Sequence, residues 1–363
     1  MKKLFSTIIC CLICSTAFMQ VKPEWQDETI PFVGKEYPRT AFMTYSDVDK
    51  ARSNDFNTSF DYKSLNGKWK FNWVSSYKKR PVNFYKTDFD DSAWNEIEVP
   101  ANWEINGYGN ALYTNHPYEF CPRNPQPPLL PEENPVGSYR KYIEIPEQWN
   151  GKEIFLHIGA VKSGCYLYVN GTKVGYSEDS KDAVEYNITR YLKPGRNLIA
   201  LEVYRWSTGS YLECQDFWRI SGIERDVYLF AQLPLHLRDF SIRQDLDSTY
   251  KNGLFGLDLF MENTNPRQPG QVTVSYQLEN TSGTRVAEGT QTIKIDSATT
   301  VHFEAKIPQV APWTAETPNL YQLFIRIEQP GKTTEVIPFR VGFRKLEIRG
   351  NQFLVNGRAV LIK

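Results

Sequence analysis

The stretch Cys165-Tyr-Leu-Tyr-Val-Asn170-Gly171-Thr-Lys-Val174 decides how the chain is read. Two short runs of strand-favouring residues flank Asn-Gly, a pair that tolerates the positive φ values a tight two-residue turn demands. It is therefore a β-hairpin, and the same pattern repeats on both sides. Lys68-Trp-Lys-Phe-Asn-Trp-Val74 alternates with period two just after the turn signal Asn66-Gly67. Glu144 to Ile158 is extended and broken at Asn150-Gly151, and Leu198 to Tyr204 and Val227 to Ala231 alternate again. No long segment repeats apolar residues at i, i+3, i+4 and i+7, the mark of an amphipathic helix. Residues 61–231 are expected to be an all-β jelly roll or related sandwich.

A second series of strands follows over residues 232–343: Leu237 to Gln244, Leu254 to Glu262, Gln271 to Asn280, Gln291 to Ile295, Val301 to Ile307, Leu320 to Glu328 and Val336 to Phe343. Short strands at near-regular spacing predict an immunoglobulin-like β-sandwich. It gathers no catalytic residue types and reads as a spacer. Residues 344–363 hold one more hairpin, around Asn356-Gly357, and end in the apolar run Ala359 to Ile362. Such a run is expected to be a strand buried on both faces, as in a parallel sheet. The expectation is that a further domain opens here and is cut short.

The opposite end sets the compartment. Lys2 and Lys3 precede an apolar run from Leu4 to about Met19, with small residues Ser15 and Ala17 near its exit. Residues 1–19 therefore read as a signal peptide, and the mature chain as exported, periplasmic or secreted. The run falls short of the ~20 apolar residues of a membrane-spanning helix, so no membrane association is expected after its removal. Residues 20–60 are polar, proline-containing and aperiodic, an extended lead-in. Cys121, Cys165 and Cys214 remain in the mature chain, an odd and scattered set. They are expected to be buried single thiols, since neither a disulfide framework nor a zinc site fits that spacing. Lys plus Arg and Asp plus Glu both number 42, giving zero net charge without like-charge runs, which excludes the basic footprint of a nucleic-acid partner.

The chemistry concentrates in Arg205 to Asp226. Trp206, Tyr211, Phe217 and Trp218 stand there among Glu213, Gln215, Asp216 and Arg219. Flat apolar rings beside carboxylates and amides suit a sugar, which has a C–H face and a rim of hydroxyls. The same residues also suit a strand pair with core aromatics and structural salt bridges, with Arg219 paired to Asp216. The loop Pro122 to Pro135 is too proline-dense for a ladder; it is either an inert surface loop or a stiff arm reaching across a surface.

Further motifs carry a resemblance. Val99-Pro-Ala-Asn-Trp103, Gly107-Tyr108, Tyr113-Thr-Asn115, Glu133-Asn-Pro-Val-Gly137, Val174-Gly-Tyr-Ser-Glu-Asp-Ser180, Arg205 to Ile223, Val341-Gly-Phe-Arg344, Phe353-Leu-Val-Asn-Gly357 and Ile362-Lys363 occur in order. From about Ser64 onward the chain resembles glycoside hydrolase family 2, most closely the bacterial β-galactosidases. The resemblance implies a galactose-binding-like jelly roll, an immunoglobulin-like sandwich and the entry to a (β/α)8 barrel. It implies retaining hydrolysis of terminal β-galactosides by two barrel glutamates, both beyond position 363, so that no catalytic residue is expected in this chain. Magnesium is implied for the full-length enzyme, with its ligands likewise absent here, and homo-oligomers of that enzyme are compatible with the resemblance. Asn115 and Asp216 match positions that contact the galactosyl group, and Asp216 also matches a sodium ligand. Glu213, Trp218 and Arg219 are expected to support them, with Trp218 in the core. Cys214 departs from the acidic residue often found at its position. Two alternatives stay open: a free-standing galactoside-binding module, and another family 2 specificity such as β-glucuronidase or β-mannosidase.

Overall fold

A computed structural model describes residues 22–268 and 270–361; the expected signal peptide lies outside them. Its strands build two sandwiches in sequence. In the first, a seven-stranded antiparallel sheet runs in the order Phe32–Val33, Thr172–Ser177, Gly164–Val169, Arg196–Tyr204, Val136–Glu144, Gly67–Val74, Asn95–Val99. It faces a four-stranded sheet ordered Val184–Asn187, Glu153–Ile158, Val227–Gln232, Tyr62–Ser64. Trp69, Tyr139, Leu156, Leu167, Leu201 and Leu229 fill the space between them. The opening hairpin is present, with Asn170 at φ 50° and Gly171 at φ 87°, the left-handed pair that a type I′ turn requires.

The second sandwich sets Leu235–Leu246, Gly253–Asn263 and Ala298–Ile307 against Arg285–Ile295, Gly270–Glu279, Tyr321–Glu328 and Glu335–Val341. Its core holds Leu257, Val274, Leu323, Ile325 and Ile337. Each of the seven expected strands is there, and the fourth begins earlier than its apolar residues suggested because its outer face is polar. A short three-stranded sheet, Leu346–Arg349, Gln352–Val355 and Arg358–Ala359, follows.

Four expectations are corrected. Arg196–Tyr204 does not alternate between buried and wet faces: every residue from Asn197 to Tyr204 is buried. The cause is a cover on the outer face made by the loop carrying Tyr77, Arg80, Phe84 and Tyr85 together with the lead-in, which is not a loose extended arm. Trp25 is 2% exposed, stacks on Tyr204 at 4.7 Å and meets Tyr77 edge-on at 5.1 Å. Phe32–Val33 then pairs with Tyr176–Ser177, Arg39 pairs with Glu185 at 2.8 Å, and Tyr45 bridges to Val336 of the second sandwich. The α-helix Val48–Ser53 follows, capped by Asp47, with Arg52 on Glu279 at 2.8 Å. The lead-in is thus a belt laid over both sandwiches, invisible to periodicity because each anchor is a single residue. The thiols also differ: Cys165 is buried, but Cys121 and Cys214 are half-buried in loops, and all three are free. Finally, the run starting at Ala359 is not buried on both faces. Val360 and Leu361 are 44% and 81% exposed, having no sheet neighbours among the described residues to cover them.

Candidate functional site

The chemistry-rich segment folds into a small ribbon on the rim of the first sandwich. Leu112–Thr114 pairs antiparallel with Phe217–Arg219, setting Thr114 opposite Phe217, Tyr113 opposite Trp218 and Leu112 opposite Arg219. Asn115 and Asp216 stand at bends just beyond the ladder. Opposed residues in an antiparallel pair project to the same side. Tyr113 and Trp218 therefore share one face, and Tyr113, Asn115, Asp216 and Trp218 are all exposed. The Tyr113 hydroxyl donates to Asp216 Oδ1 at 2.8 Å, and its ring meets Trp218 edge-on at 5.7 Å. That hydrogen bond also holds the Tyr113 hydroxyl protonated to higher pH than an ordinary phenol.

Trp218 is not a core residue: at 55% exposure it is part of the open face. The alternation explains this, because Trp218 shares Tyr113's side while Phe217 and Arg219 take the inner one.

The inner face is where the charges are buried. Arg219, 2% exposed, does not reach Asp216; its Nε lies 3.4 Å from Glu119 Oε2, and its Nη1 donates to the Glu213 carbonyl at 3.4 Å. Glu119 also accepts from Trp206 Nε1 at 3.1 Å. Behind it, Arg205 sits 3.3 Å from Glu104 and donates to the Arg219 carbonyl at 3.2 Å. Both arginine–carboxylate contacts are charge pairs rather than aligned hydrogen bonds, since Arg219 Nε and Nη2 and Glu104 Oε1 have no hydrogen-bond partner among the described residues. Burial raises the Glu104 carboxyl above its ordinary value even though Arg205 and Ser221 pull it down. Around the Phe217 ring stand three cations: Lys162 at 5.1 Å, Arg219 at 5.1 Å and Lys181 at 5.5 Å. Of these Lys162 is 4% exposed, and desolvation lowers its ammonium's affinity for its proton. Such contacts hold a ring firmly, and Phe217 is the neighbour of Asp216.

Glu213 supports the ribbon from the preceding turn. Its carboxylate accepts from the Ser180 N–H at 2.9 Å and the Ser180 hydroxyl at 2.6 Å, tying Asp216's segment to the loop after Thr172–Ser177. Cys214 accepts from the Tyr118 N–H at 3.4 Å, and Tyr118 and Phe120 pack on Tyr211. The proline-rich loop is anchored here too: Tyr211 donates to the Leu129 carbonyl, and Asn134 donates to the Trp206 carbonyl at 2.8 Å while accepting its N–H. It is a fixed flank of the site, not a detached loop.

Among the described residues no three His, Cys, Asp or Glu side chains gather as a metal cluster. Asp216 nevertheless offers one hard oxygen: Oδ1 takes the Tyr113 hydroxyl, and Oδ2 accepts no hydrogen bond from the described residues. That fits a single ligand to a hard cation and no more. Sequence reasoning missed Tyr113 and Glu119 as site residues. Tyr113 could have been found, since it stands two residues before Asn115 on a segment that reads as extended, where alternate residues share a side; nothing in the sequence pointed to Glu119.

Known proteins show the same organisation. The profile described as "Glycosyl hydrolases family 2, sugar binding domain" matches residues 62–234, and that described as "Glycosyl hydrolases family 2" matches residues 235–344. A β-galactosidase of Priestia megaterium is 35% identical over 347 residues, covering 94% of this chain and 34% of the relative. One from Halalkalibacterium halodurans is 38% identical over 303 residues, covering 83% and 29%. The chain thus spans about a third of the length of these relatives. Among solved structures, Bacteroides uniformis β-glucuronidase 2 superposes with a TM-score of 0.67 at 22% identity, over 82% of this chain and 34% of that one. A β-glycosidase from Bacteroides vulgatus gives 0.64 at 23%, over 83% and 36%. With both sandwiches matched end to end by its profiles, the chain belongs to glycoside hydrolase family 2.

Proposed function

We propose that this chain is the non-catalytic N-terminal portion of an exported β-galactosidase, and that its ribbon supplies one wall of the galactoside site. In this reading residues 61–231 are the sugar-binding jelly roll, 232–343 the spacer sandwich and 344–363 the opening of the catalytic barrel. The observation that carries it is the exposed hydrogen bond from Tyr113 to Asp216 beside the Trp218 ring, with Asn115 exposed two residues on from Tyr113. An amide supplies donors and acceptors to hydroxyls, a carboxylate accepts from them, and two rings offer an apolar surface. Asn115 and Asp216 bind the galactosyl group, and Asp216 lends its free oxygen to sodium. When bound, sodium would supply a fixed positive charge that orients a sugar hydroxyl. Tyr113 keeps the Asp216 carboxylate turned outward, and Glu213, Arg219 and Phe217 keep the ribbon in place behind it. Relatives at 35% and 38% identity that are β-galactosidases favour galactosides over the glucuronides suggested by the structural neighbours, whose likeness is one of fold.

The test joins this chain to the remaining two-thirds of the Priestia megaterium enzyme and assays a chromogenic β-galactoside. The purified chain alone is expected to be inactive. The fusion is expected to be active, and Asp216→Ala in it to lose at least about tenfold in kcat/KM, the equivalent of ~1.4 kcal/mol of transition-state binding. Turnover by the chain alone, or an Asp216→Ala fusion as active as its parent, would overturn the reading.

A further inference from the structure

The chain carries Asn-Gly six times, at Asn66, Asn106, Asn150, Asn170, Asn252 and Asn356. The pair suits tight turns. It is also the pair in which a backbone nitrogen most readily reaches the side-chain carbonyl before it, because glycine puts no Cβ in the way. The fold treats the six differently. Asn66 donates to Asp226 Oδ1 and accepts the Val227 N–H, both at 2.9 Å. Asn170 donates to the Tyr191 carbonyl and accepts the Leu198 N–H, also at 2.9 Å each. Asn252 donates to Asp247 at 2.6 Å and accepts the Gln309 N–H at 3.2 Å. Asn356 donates to the Trp313 carbonyl at 3.0 Å and accepts the Lys345 N–H at 2.9 Å. Asn106 donates to the Asn102 carbonyl at 2.8 Å, and the Gly107 N–H donates to the Glu104 carbonyl at 3.3 Å.

Asn150 is the exception. It is exposed, and neither its side chain nor the Gly151 N–H makes a hydrogen bond among the described residues. Gly151 stands at φ 77°, and a Cβ built there would meet nothing within 4 Å. Two bonds close the turn, Asn150 N–H to the Glu147 carbonyl and Lys152 N–H to the Trp149 carbonyl, each at 3.0 Å. Neither uses the peptide between Asn150 and Gly151, which is left free to rotate. The base of the turn is fixed by contrast: Trp149 is 1% exposed and its Nε1 donates to the Phe60 carbonyl at 2.9 Å, while Lys152 pairs with Asp61.

We propose that Asn150 is a modification site, deamidating spontaneously in the folded chain while the other five asparagines are protected by their bonds. The Gly151 nitrogen attacks Asn150 Cγ and gives its proton to solvent. The side-chain nitrogen takes a proton from water and leaves as ammonia, so that a five-membered imide remains. Water then adds to one of the two imide carbonyls. The ring opens to aspartate, or to isoaspartate, in which the main chain runs through the side-chain carbon. One carboxylate replaces one neutral amide, nothing is oxidised or reduced, and water is the only co-reactant. The fold makes the choice, because the tripeptide Asn-Gly-Lys occurs both at 66–68 and at 150–152. Local sequence is matched there, and only the hydrogen bonds differ. A chain of zero formal net charge thereby becomes one unit more negative as it ages. Isoaspartate also adds a backbone carbon to the turn that leads into Glu153–Ile158, an inner strand of the four-stranded sheet.

The test incubates the whole chain in warm, mildly alkaline buffer, folded and in urea, and follows each asparagine by peptide mass after digestion. In the folded chain Asn150 is expected to convert at least about tenfold faster than Asn66, equivalent to ~1.4 kcal/mol at the barrier. Side-chain hydrogen bonds of ordinary strength, which must break first at Asn66, suffice for that factor. In urea, where neither residue is held, the two are expected to convert at similar rates. Isoelectric focusing of the folded chain should show a more acidic band growing with time. Asn150→Gln should lack that band, because its longer side chain closes a ring far more slowly. Equal rates at Asn66 and Asn150 in the folded chain, or another asparagine converting first, would overturn the proposal.

Discussion

Replacing Trp25 with alanine tests whether the belt is part of the fold or an ornament on it. An aromatic side chain buries about 150–250 Å², which at ~25 cal/mol per Å² corresponds to roughly 4–6 kcal/mol as an upper estimate. The stack on Tyr204 and the edge contact with Tyr77 add about 1 kcal/mol. Between Lys22 and Pro31 what remains is thin: the Tyr166 hydroxyl donating to Glu24 at 3.0 Å, the Lys173–Glu24 pair, and the Glu178 N–H donating to the Pro31 carbonyl at 3.2 Å. Partly exposed contacts of this kind contribute about 0.5–1 kcal/mol each, less than the ~1 kcal/mol per residue that ordering ten residues costs. Without its indole the segment from Lys22 to Pro31 should therefore detach as a unit. The cost to the whole fold is then capped by what the segment contributes net of its ordering, which is less than the ~4–6 kcal/mol of the indole's burial. In urea the midpoint should fall with a slightly shallower slope, because the detached segment's surface is already exposed before unfolding. Limited proteolysis should cut within residues 26–32 under native conditions, while the rest of the chain stays intact. A variant with an unshifted midpoint and no new cleavage would show that the Trp25 contacts do not hold the belt.

Other perturbations follow from single contacts. Arg140, 1% exposed, donates to Asp91 at 2.6 Å, to the carbonyls of Phe84, Lys86 and Phe89 and to the Tyr142 hydroxyl, so it organises the loop before Asn95–Val99. Arg140→Met should cost about 3–5 kcal/mol, because it strands Asp91 and three carbonyls; denaturant unfolding measures it, and a loss under 1 kcal/mol would contradict the role. At Gly137 an added Cβ would lie 2.6 Å from Trp103 and 2.9 Å from Phe71, so Gly137→Ala should destabilise by about 1–3 kcal/mol through overpacking, read as a lower urea midpoint. Tyr113→Phe removes only an exposed hydrogen bond and should leave stability within about 0.5 kcal/mol. In the active fusion it should nevertheless raise KM for the galactoside, because Asp216 loses the donor that aims it. An unchanged KM would separate Tyr113 from the site.

Most of the architecture was legible because a sandwich writes itself in alternation and turns: Asn170-Gly171 gave the first hairpin, and seven short apolar runs gave the second sandwich. The failures share a cause. Leu198 to Tyr204 alternates in sequence yet is buried throughout, because Glu202 accepts from Arg80 and from the Tyr204 hydroxyl, and Trp25 of the belt covers the Tyr204 ring. A covering segment that touches down through Trp25, Arg39 and Tyr45 has no period to detect. At the candidate site, Asn115 and Asp216 were singled out by motif resemblance alone, and the Tyr113 contact to Asp216 was within reach of a simple parity argument. The exposed Trp218 was misjudged because aromatic residues between charges look like core until the strand register assigns them a side. Glu119 and Glu104 stand far along the chain from the arginines they meet, and no local pattern announces such pairs.

The belt also has a consequence for how the chain is made. Its contacts join residues 142 positions apart at Glu24 and Tyr166, 146 at Arg39 and Glu185, and 227 at Arg52 and Glu279. During synthesis at about 5–20 residues per second, the segment carrying Arg52 therefore waits roughly 10–45 s for its partner to be made. It is the first described segment out of the ribosome and among the last to find its place. Fold-wide pairings of this kind slow folding, since loop closure precedes the contacts that reward it. For that interval Trp25, Phe42 and Met43 are apolar side chains without a surface to rest on, which makes the early belt a natural place for a chaperone to hold the nascent chain.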